Sequence, residues 1–333
     1  MNLSLNICDI PIRISVWNGL IEKYIYNRFS GFISSQEIDH SQKSLSLMEI
    51  NRDHINDIIP KINSINIDKE YQEINMDGCK YYAIKDDNII FYDKFQRRVY
   101  FSLCEAEEER ILYFIGVKLC EIIVSHLIEN NIYCIHSSVC TLDSNAHNGV
   151  AFLGQSGVGK TSLAYQMYKC GEQLTNDDVG FFRITPSELV TFKNMQHIGL
   201  DDYSIKQVFP ECERFVSHKD GLTLDKNRVD LGKLSTNAFA EKIIVKQILI
   251  VDSTRQSVPE IVECSSIESY KTIVQSLLPF FTVKRYDLID KIAKEIISMI
   301  PVYKLIPGDS IMKTVSFILA ERRLANGNWK CTN

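Results

Sequence analysis

The chain has 333 residues, of which 45% are hydrophobic and 24% charged, as is ordinary for a globular protein that buries a sizeable core. Its net charge of -5 argues against a nucleic-acid-binding protein that works through a broad basic surface. The length fits one large domain or two moderate ones. We therefore expect a folded protein without a nucleic-acid partner, although the charge still permits a local cationic pocket for phosphate.

The ten cysteines include no Cys-x-x-Cys pair, and none has zinc-ligand spacing to a histidine. Residues Met1 to Trp17 lack the basic stretch and apolar core of a secretory signal. Both observations favour a cytoplasmic protein in a reducing compartment. Four cysteines lie in apolar runs and are predicted to be buried free thiols: Cys104, Cys120, Cys134 and Cys140.

The first hundred residues contain short runs of aromatic and β-branched residues separated by polar turns. Runs at Lys80–Lys85, Ile89–Tyr92 and Arg98–Ser102 predict an antiparallel meander. The polar stretch Ser35–Ile65 gives no firm prediction. A long helix is predicted over Glu105–Asn130, because acidic residues in its first turn favour the positive end of the helix dipole.

The most apolar long segment, Ile111–Ile128, contains Lys118, Glu121 and His126. These ionisable groups are too many for a membrane span, so we predict an amphipathic or buried helix and no membrane partner. The sequence changes character after this helix. We therefore predict a smaller β-rich α+β domain over residues 1–130, which ends in the helix, and a larger α/β domain over residues 131–333.

The larger domain begins with a predicted strand, Ile132–Leu142, a polar hairpin loop and a second strand, Gly149–Leu153. The second strand leads into a glycine-rich loop and a helix, Lys160–Lys169, which Gly171 can end in a left-handed conformation. A strand at Leu174–Ile184 completes a strand–loop–helix–strand order that is typical of nucleotide-binding folds. Later strands are predicted at Lys246–Val251 and Pro301–Ile306, and helices at Glu268–Leu278, Asp287–Met299 and Ser310–Arg323.

The glycine-rich loop, Gly154–Thr161, matches the pattern Gly-x-x-x-x-Gly-Lys-Thr at every specified position. Its glycines let backbone N–H groups approach phosphate oxygens closely. Lys160 can reach the β- and γ-phosphates, and Thr161 can ligate magnesium. We therefore predict binding of ATP with Mg²⁺. The motif binds the phosphates and not the base, so it does not distinguish ATP from GTP. The predicted nucleotide-binding residues are Gly154, Gln155, Ser156, Gly157, Val158, Gly159, Lys160, Thr161 and Ser162.

Asp177 and Asp178 follow Lys160 by 17 and 18 residues, which allows for one helix and a short strand. In an open parallel sheet, the carboxyl ends of neighbouring strands meet at the ligand crevice. One carboxylate could hold magnesium while the other accepts a proton from the attacking hydroxyl, although Asn-Asp-Asp is also ordinary in a solvated turn. His136 lies in a strand predicted to pair with the one before the loop, and is either structural or part of the same site.

Together, these residues resemble the HPr kinase/phosphorylase family of P-loop kinases. The similarity runs over residues 132–182 and includes Ile135-His136-Ser137, the glycine-rich loop through Ser162, Cys170-Gly171 and Leu174–Asp178. The segment Ile300–Leu305 resembles one in HPr-kinase-like kinases of peptide-biosynthesis clusters, such as lasso-peptide kinases. A more distant similarity connects the domain with ATP-dependent phosphoenolpyruvate carboxykinases.

The resemblance implies a P-loop kinase domain preceded by an N-terminal domain of separate origin. It implies that Lys160 and the loop amides hold the phosphates, and that Thr161 and Asp177 help to hold Mg²⁺. It also implies that Asp178 is the catalytic base, with His136 near the transferred phosphoryl group. The division of roles between the two aspartates stays open.

The sequence departs from this family downstream of the two aspartates. The Arg-Gly-rich signature of bifunctional HPr kinase/phosphorylases is missing between Phe181 and Gly221, and Lys219–Leu231 occupies roughly that region. Lys226 and Arg228 are candidates there for the charge that neutralises the transition state, or else an inert basic pair in an exposed hairpin. We therefore do not expect HPr itself to be the substrate, and we do not expect the reverse phosphorylase reaction.

The leading hypothesis is an ATP-dependent kinase, a phosphotransferase whose acceptor is an alcohol group, most plausibly serine in a peptide or small protein. Two alternatives remain. One is a non-catalytic nucleotide-binding switch or scaffold in a biosynthetic pathway, and the other is a kinase for a free amino acid or similar small molecule. The sequence leaves open the acceptor, the role of the N-terminal domain and the oligomeric state, with a homo-oligomer among the options.

Overall fold

The computed structural model describes residues 2–29, 32–33, 44–51, 71–76, 79–84, 88–103, 109–143, 147–194, 197–217, 227–235, 237–280 and 285–324. The chain is a mixed α/β protein with several sheets and helices. Its contacts divide it into two compact units, Met1–Asn130 and Asn131–Asn333, which we describe separately.

The first unit is built on a seven-stranded mixed sheet. Its strands are β1 (Asn2–Ile7), β2 (Ile10–Ser15), β3 (Leu45–Glu49), β4 (Tyr71–Met76), β5 (Cys79–Ile84), β6 (Asn88–Asp93) and β7 (Arg98–Ser102). Their order is β1-β2-β3-β7-β6-β5-β4, in which β3 runs parallel to both neighbours and the other pairs are antiparallel. The predicted meander is confirmed as β5 to β7.

Two helices of this unit, α1 (Gly19–Phe29) and α2 (Glu109–Glu129), pack against each other. α2 is the predicted long helix, and the first residues of that prediction, 105–108, lie outside the described residues. Among the described helices, none is long and apolar enough to cross a membrane. Cys120, Cys134 and Cys140 are free and buried as predicted, whereas Cys104 lies outside the described residues.

Within its described residues, the second unit contains a nine-stranded sheet, a three-stranded sheet and four α-helices. The large sheet comprises β8 (Ile132–Ile135), β9 (Ser138–Asp143), β10 (Asn148–Leu153), β11 (Leu174–Asn176), β12 (Gly180–Ile184), β13 (Leu189–Phe192), β17 (Lys242–Val251), β18 (Glu260–Glu263) and β19 (Val302–Ile306). The small sheet comprises β14 (His197–Leu200), β15 (Val216–Ser217) and β16 (Asn227–Asp230). The helices are α3 (Lys160–Lys169), α4 (Ser266–Leu277), α5 (Tyr286–Met299) and α6 (Ile311–Leu324).

Strand β17 organises the large sheet. Along one edge, β17 pairs with the parallel strand β10. Along its other edge, its first half pairs with the antiparallel strand β13 and its second half with the parallel strand β19. Residues Gln247–Val251 are all buried, as expected for a strand covered on both faces. The strand begins four residues before the predicted Lys246, because its first half is needed to pair with β13.

Two strands that the sequence predicts as continuous are each broken in two. His136 and Ser137 separate β8 from β9, and residues 177–179 separate β11 from β12. The predictions of single strands over Ile132–Leu142 and Leu174–Ile184 are therefore wrong. Both breaks fall at polar residues, His136-Ser137 and Asp177-Asp178, so the pattern marks these positions without showing that a strand ends there. The cause is tertiary, since the halves pair with different partners.

The breaks bring two ends of the large sheet together. Its strand order is β11-β9-β10-β17-β13-β12-β8, so β8 and β12 lie at one end while β9 and β11 lie at the other. The connection from β11 to β12 can span at most about 14 Å when fully extended. The two ends must therefore meet, and we call the line where the connections cross, residues 136–137 and 177–179, the seam.

The large sheet is mixed, with both parallel and antiparallel pairs of strands. β10 and β11 run in the same direction, but β9 lies between them and is antiparallel to both. Helix α3 therefore connects two strands across an intervening one, and packs against β9 and α6. Helix α4 begins two residues earlier than predicted, because the Ser265 hydroxyl accepts a hydrogen bond from the Glu268 N–H.

Gly149 lies at an irregularity of β10, where this strand meets β9 and β17. A Cβ atom there would overlap the carbonyl oxygen of Cys140 and the side chain of Ile243. Because a paired backbone oxygen cannot rotate away, we expect Gly149→Ala to lower the free energy of unfolding by about 1–3 kcal/mol in urea denaturation. Gly19→Ala is the control, since its methyl group meets no atom within 4 Å. Equal losses in the two variants would contradict this packing.

Candidate functional site

The glycine loop, Gly154–Thr161, connects β10 to α3. Gly154, Gly157 and Gly159 have φ angles of 139°, 83° and 103°, a region that other residues rarely adopt. Gly159 is the N-cap of α3, and no side chain caps this helix. The N–H groups of the first turn and the positive end of the helix dipole therefore face the loop, which is the arrangement that binds phosphate.

Lys160 is only 6% exposed although it carries a charge. Its Nζ donates hydrogen bonds to the carbonyl oxygens of Gly154 at 3.0 Å and Gln155 at 2.9 Å. A buried charge is costly unless polar groups surround it. The ammonium is thus held at the beginning of the glycine loop, and this end of the loop is where negative phosphate charge would be neutralised.

The Asp177 carboxylate is 1% exposed and joins three elements. Its Oδ1 accepts hydrogen bonds from Thr161 Oγ1 at 2.7 Å and from Ser138 Oγ at 2.6 Å. Its Oδ2 accepts a hydrogen bond from the Gly199 N–H at 3.0 Å. These donors come from α3, β9 and β14, so one buried carboxylate ties the glycine-loop helix to both sheets.

Asp178 differs from its neighbour in both backbone and exposure. It has a φ of 68°, in the left-handed region that Asp tolerates better than most residues, and 46% of its side chain is exposed. Its side chain lines a cavity beside the glycine loop. The adjacent aspartates therefore face different surroundings, one the interior and the other the cavity.

His136 holds the Asp178 turn from the other side of the seam. Its Nδ1 lies 2.7 Å from the Asp178 carbonyl oxygen and 3.5 Å from Asp178 Oδ1. A carbonyl oxygen can only accept, so Nδ1 must carry the hydrogen in this contact. The His136 backbone N–H donates to the Ser276 carbonyl at 2.9 Å, which connects the seam to α4.

The cavity has a volume of about 720 Å³, within the range of ligand sites in proteins. The glycine loop and one face of α3 form one wall. The segment 199–208 and the start of α6 form another, and Asp178 and Arg255 also line it. Six of the nine predicted loop residues thus line one cavity together with Asp178. Other predicted site residues are not among its lining residues: Gly154, Gln155, Val158, Asp177 and His136.

Arg255 lines this cavity as well, although it is not among the residues predicted from the sequence. It follows β17, and its Nη2 lies 3.8 Å from where a Cβ atom of Gly159 would stand. A signal for it exists in the sequence, because parallel neighbouring strands end at the same edge of a sheet. β17 is the parallel neighbour of β10, so a basic residue just after β17 falls beside the glycine loop.

The loop that carries Arg255 is anchored by an ion pair. Asp252 Oδ1 accepts hydrogen bonds from the Thr254 N–H and hydroxyl, both at 2.7 Å, and its Oδ2 lies 2.7 Å from Lys304 Nζ. Lys304 also pairs with Glu268 at 3.1 Å. The hydrogen bond from Lys304, with those from Thr254, lowers the pKa of Asp252 to about 2. The Asp252 carboxylate therefore fixes the loop that carries Arg255 to β19.

The structure describes one of the two basic residues proposed from sequence. Arg228 is in β16, where it pairs in register with Gly199 and Ser217, and it is absent from the lining of the cavity as far as the chain is described. Lys226 lies outside the described residues. Arg255 is thus the arginine that the structure brings to the glycine loop.

Thr161 and Asp177 supply the kind of oxygen atoms that Mg²⁺ prefers, and these oxygens are 2.7 Å apart. Within the described residues, no group of three or more His, Cys, Asp or Glu side chains is placed to hold a metal ion. Protein sites for Mg²⁺ often use one or two carboxylates together with substrate phosphates. The Thr161 hydroxyl therefore fits as a ligand of a magnesium ion that is shared with a triphosphate, with the hydrogen-bonded Asp177 carboxylate behind it.

The chain matches no protein-family model and no curated protein. Its structure has a distant similarity to that of the Hpr(Ser) kinase/phosphatase from Coxiella burnetii, with a TM-score of 0.33 and 16% sequence identity. The alignment covers 59% of this chain and 99% of the other. At this distance, an interpretation of the site has to rest on its own geometry.

The two aspartates provide a matched test of the site. Asp177→Asn places an amide N–H₂ where a carboxylate oxygen accepts, so we expect it to lower the free energy of unfolding by about 1.5–3 kcal/mol. Asp178→Asn should change it by less than about 0.5 kcal/mol, because the side chain is half-exposed and Asn tolerates a left-handed backbone. Urea denaturation measures both, and equal effects would contradict the assigned hydrogen bonds.

The Lys304–Asp252 pair should make stability depend on pH. Because the pKa of Asp252 is lowered to about 2 from 3.8, its carboxylate stabilises the fold above about pH 4, and this contribution is lost as the pH falls towards 2. We expect Lys304→Met to be less stable than the wild type at pH 6, with a difference that narrows below pH 4. Urea denaturation at each pH measures this.

Lys246→Met is the control for that series, since Lys246 lies 4.0 Å from Glu188 in a more exposed pair. We expect it to lose less than about 1 kcal/mol at pH 6. A constant difference between Lys304→Met and the wild type across the pH range would show that Asp252 is not the group held by Lys304.

Proposed function

We propose that this chain is a kinase that binds Mg²⁺-ATP at the glycine loop and transfers the γ-phosphoryl group to a hydroxyl. The acceptor that we propose is a serine of a peptide or small protein. The observation that carries the proposal is the shared cavity. Lys160, Gly157 and Gly159 line it together with the half-exposed Asp178, and the buried Asp177 accepts a hydrogen bond from Thr161 of the same wall.

The loop amides and Lys160 would hold the β- and γ-phosphates, as the helix N-terminus and the buried ammonium favour. The Thr161 hydroxyl would be a magnesium ligand, oriented by the Asp177 carboxylate that accepts its hydrogen bond. When bound, Mg²⁺ neutralises charge on the β- and γ-phosphate oxygens. The burial of Asp177 supports this assignment, because its oxygens already serve three donors.

Asp178 would be the general base. Its carboxylate faces the cavity, where it can accept the proton of the acceptor hydroxyl as the hydroxyl oxygen bonds to the γ-phosphorus. The bond from the γ-phosphorus to the bridging oxygen breaks, and ADP leaves. His136 would be a positioning residue, since its ring binds the Asp178 carbonyl. In-line transfer depends mostly on such positioning and on charge neutralisation.

Arg255 would supply the second positive charge at the phosphates, in place of Arg228. Its guanidinium lies next to Gly159, at the N-terminus of α3. An arginine near the γ-phosphoryl group stabilises the transition state in other phosphoryl-transfer enzymes. The anchoring of its loop by Asp252 and Lys304 supports this role, because a fixed arginine needs less ordering when it binds phosphate.

The Asp178→Asn variant distinguishes a role in phosphoryl transfer from a role in nucleotide binding. We expect this variant to lose at least about a hundredfold in transfer rate, since general-base catalysis contributes roughly 10²–10⁴-fold, while its affinity for Mg²⁺-ATP stays near wild type. Lys160→Ala should instead lose nucleotide affinity. Titration calorimetry and a phosphoryl-transfer assay measure the two effects, and transfer at the wild-type rate by Asp178→Asn would refute the proposed base.

Mass spectrometry of candidate acceptors incubated with the protein and Mg²⁺-ATP identifies the acceptor class. A gain of about 80 Da on serine peptides supports the proposal. The same gain on free amino acids alone would make the chain a small-molecule kinase. Slow ATP hydrolysis without any phosphorylated acceptor would favour a nucleotide-binding switch or scaffold.

A further inference from the structure

We propose that the far end of the cavity is a nucleobase subsite, in which the side chain of Tyr203 stacks on the base of the bound nucleotide. This inference rests on the proposed function, and it adds residues that select a nucleoside triphosphate over a polyphosphate without a base. Tyr203 lies just before a single π-helical turn, Ser204–Val208, and it lines the cavity. Single π-turns occur frequently at functional sites.

The direction of the nucleotide follows from the charges at the glycine loop. Lys160 is held at the beginning of the loop, and Asp178 and Arg255 lie at the same cavity. These groups mark the end where the γ-phosphate would react. The nucleoside must therefore extend away from them, along the remaining walls of the cavity.

One of those walls is a continuous face of α3. Ser162, Gln166 and Lys169 are spaced four and three residues apart, which places them on one side of the helix, and all three line the cavity. Gln166 is only 5% exposed, and its Nε2 has a long contact of 3.9 Å with Cys170 Sγ. A buried side-chain amide at a cavity wall is suited to the donors and acceptors of a base edge.

A second wall presents Tyr203 and Gln207 from a rigid support. Ile205 and Phe209 are buried in the core and hold the π-turn in place. The Phe209 ring packs edge-on against the Tyr165 ring of α3, with 4.6 Å between the ring centroids. Tyr203 is nevertheless 71% exposed. A large aromatic side chain that stays exposed on a fixed backbone is available for stacking.

Charge distinguishes this end of the cavity from the phosphate end. Lys169 forms an ion pair with Glu211 at 2.7 Å, so its positive charge is already balanced. Asp201 and Asp309 also line the cavity, and their negative charges disfavour a second phosphate or an acidic peptide. Met312, at the start of α6, adds an exposed apolar side chain. An uncharged aromatic base fits these surroundings better than an anion does.

The test compares Mg²⁺-ATP with inorganic tripolyphosphate plus Mg²⁺ by titration calorimetry. We expect Tyr203→Ala to weaken ATP binding by about 5- to 150-fold, as loss of one base–aromatic stack predicts, and to leave tripolyphosphate binding unchanged. Tyr203→Phe should retain the wild-type affinity for ATP. The control is Tyr286→Ala, because Tyr286 is also exposed but lies at the start of α5.

Each other outcome is decisive. Unchanged ATP affinity in Tyr203→Ala would overturn the subsite and leave this wall of the cavity to the acceptor. Equal losses of affinity for ATP and tripolyphosphate would also overturn it, because they would show that the substitution disturbs the fold. A wild type that binds neither ligand would overturn the subsite and the proposed function together. If ATP binding depends on Tyr203 but no acceptor is phosphorylated, the subsite is supported and the proposed kinase activity is refuted.

Discussion

The hydrogen bonds of the buried Asp177 carboxylate are the interaction on which the site depends. A carboxylate that is taken out of water loses its hydration, and only donors placed at both oxygens can compensate. Here those donors come from Thr161, Ser138 and Gly199, which lie far apart in the chain. The glycine-loop helix, the large sheet and the small sheet must therefore assemble together before this residue can be buried at low cost.

The seam explains why two adjacent aspartates are suited to different tasks. The chain passes from β11 to β12 in three residues, and its backbone turns left-handed at Asp178. Asp177 consequently points into the interior while Asp178 points into the cavity. The contact from His136 fixes this turn, because it comes from the other connection that crosses the seam. The topology of the sheet, and not the Asp-Asp sequence alone, separates the two carboxylates.

The sequence predicted best those parts of the site whose geometry is local. The glycine loop and α3 follow from spacing alone, since glycine conformation and helix start are set within a few residues. The broken strands, the seam and the placement of Arg255 could not be predicted so directly, because each depends on which strands pair. Tyr203 gave no signal either. Its exposure beside the cavity comes from a π-turn whose support is the Phe209–Tyr165 contact.

The positive charge at the phosphate end of the cavity depends on residues that do not line it. Arg255 stands beside the glycine loop because Asp252 shapes its loop, and Asp252 is held by Lys304 of β19. Lys304 lies within the segment Ile300–Leu305, which includes the first part of β19. A lysine there has a structural reason that needs no contact with the nucleotide. It keeps an aspartate ionised at the end of β17 and so holds an arginine at the head of α3.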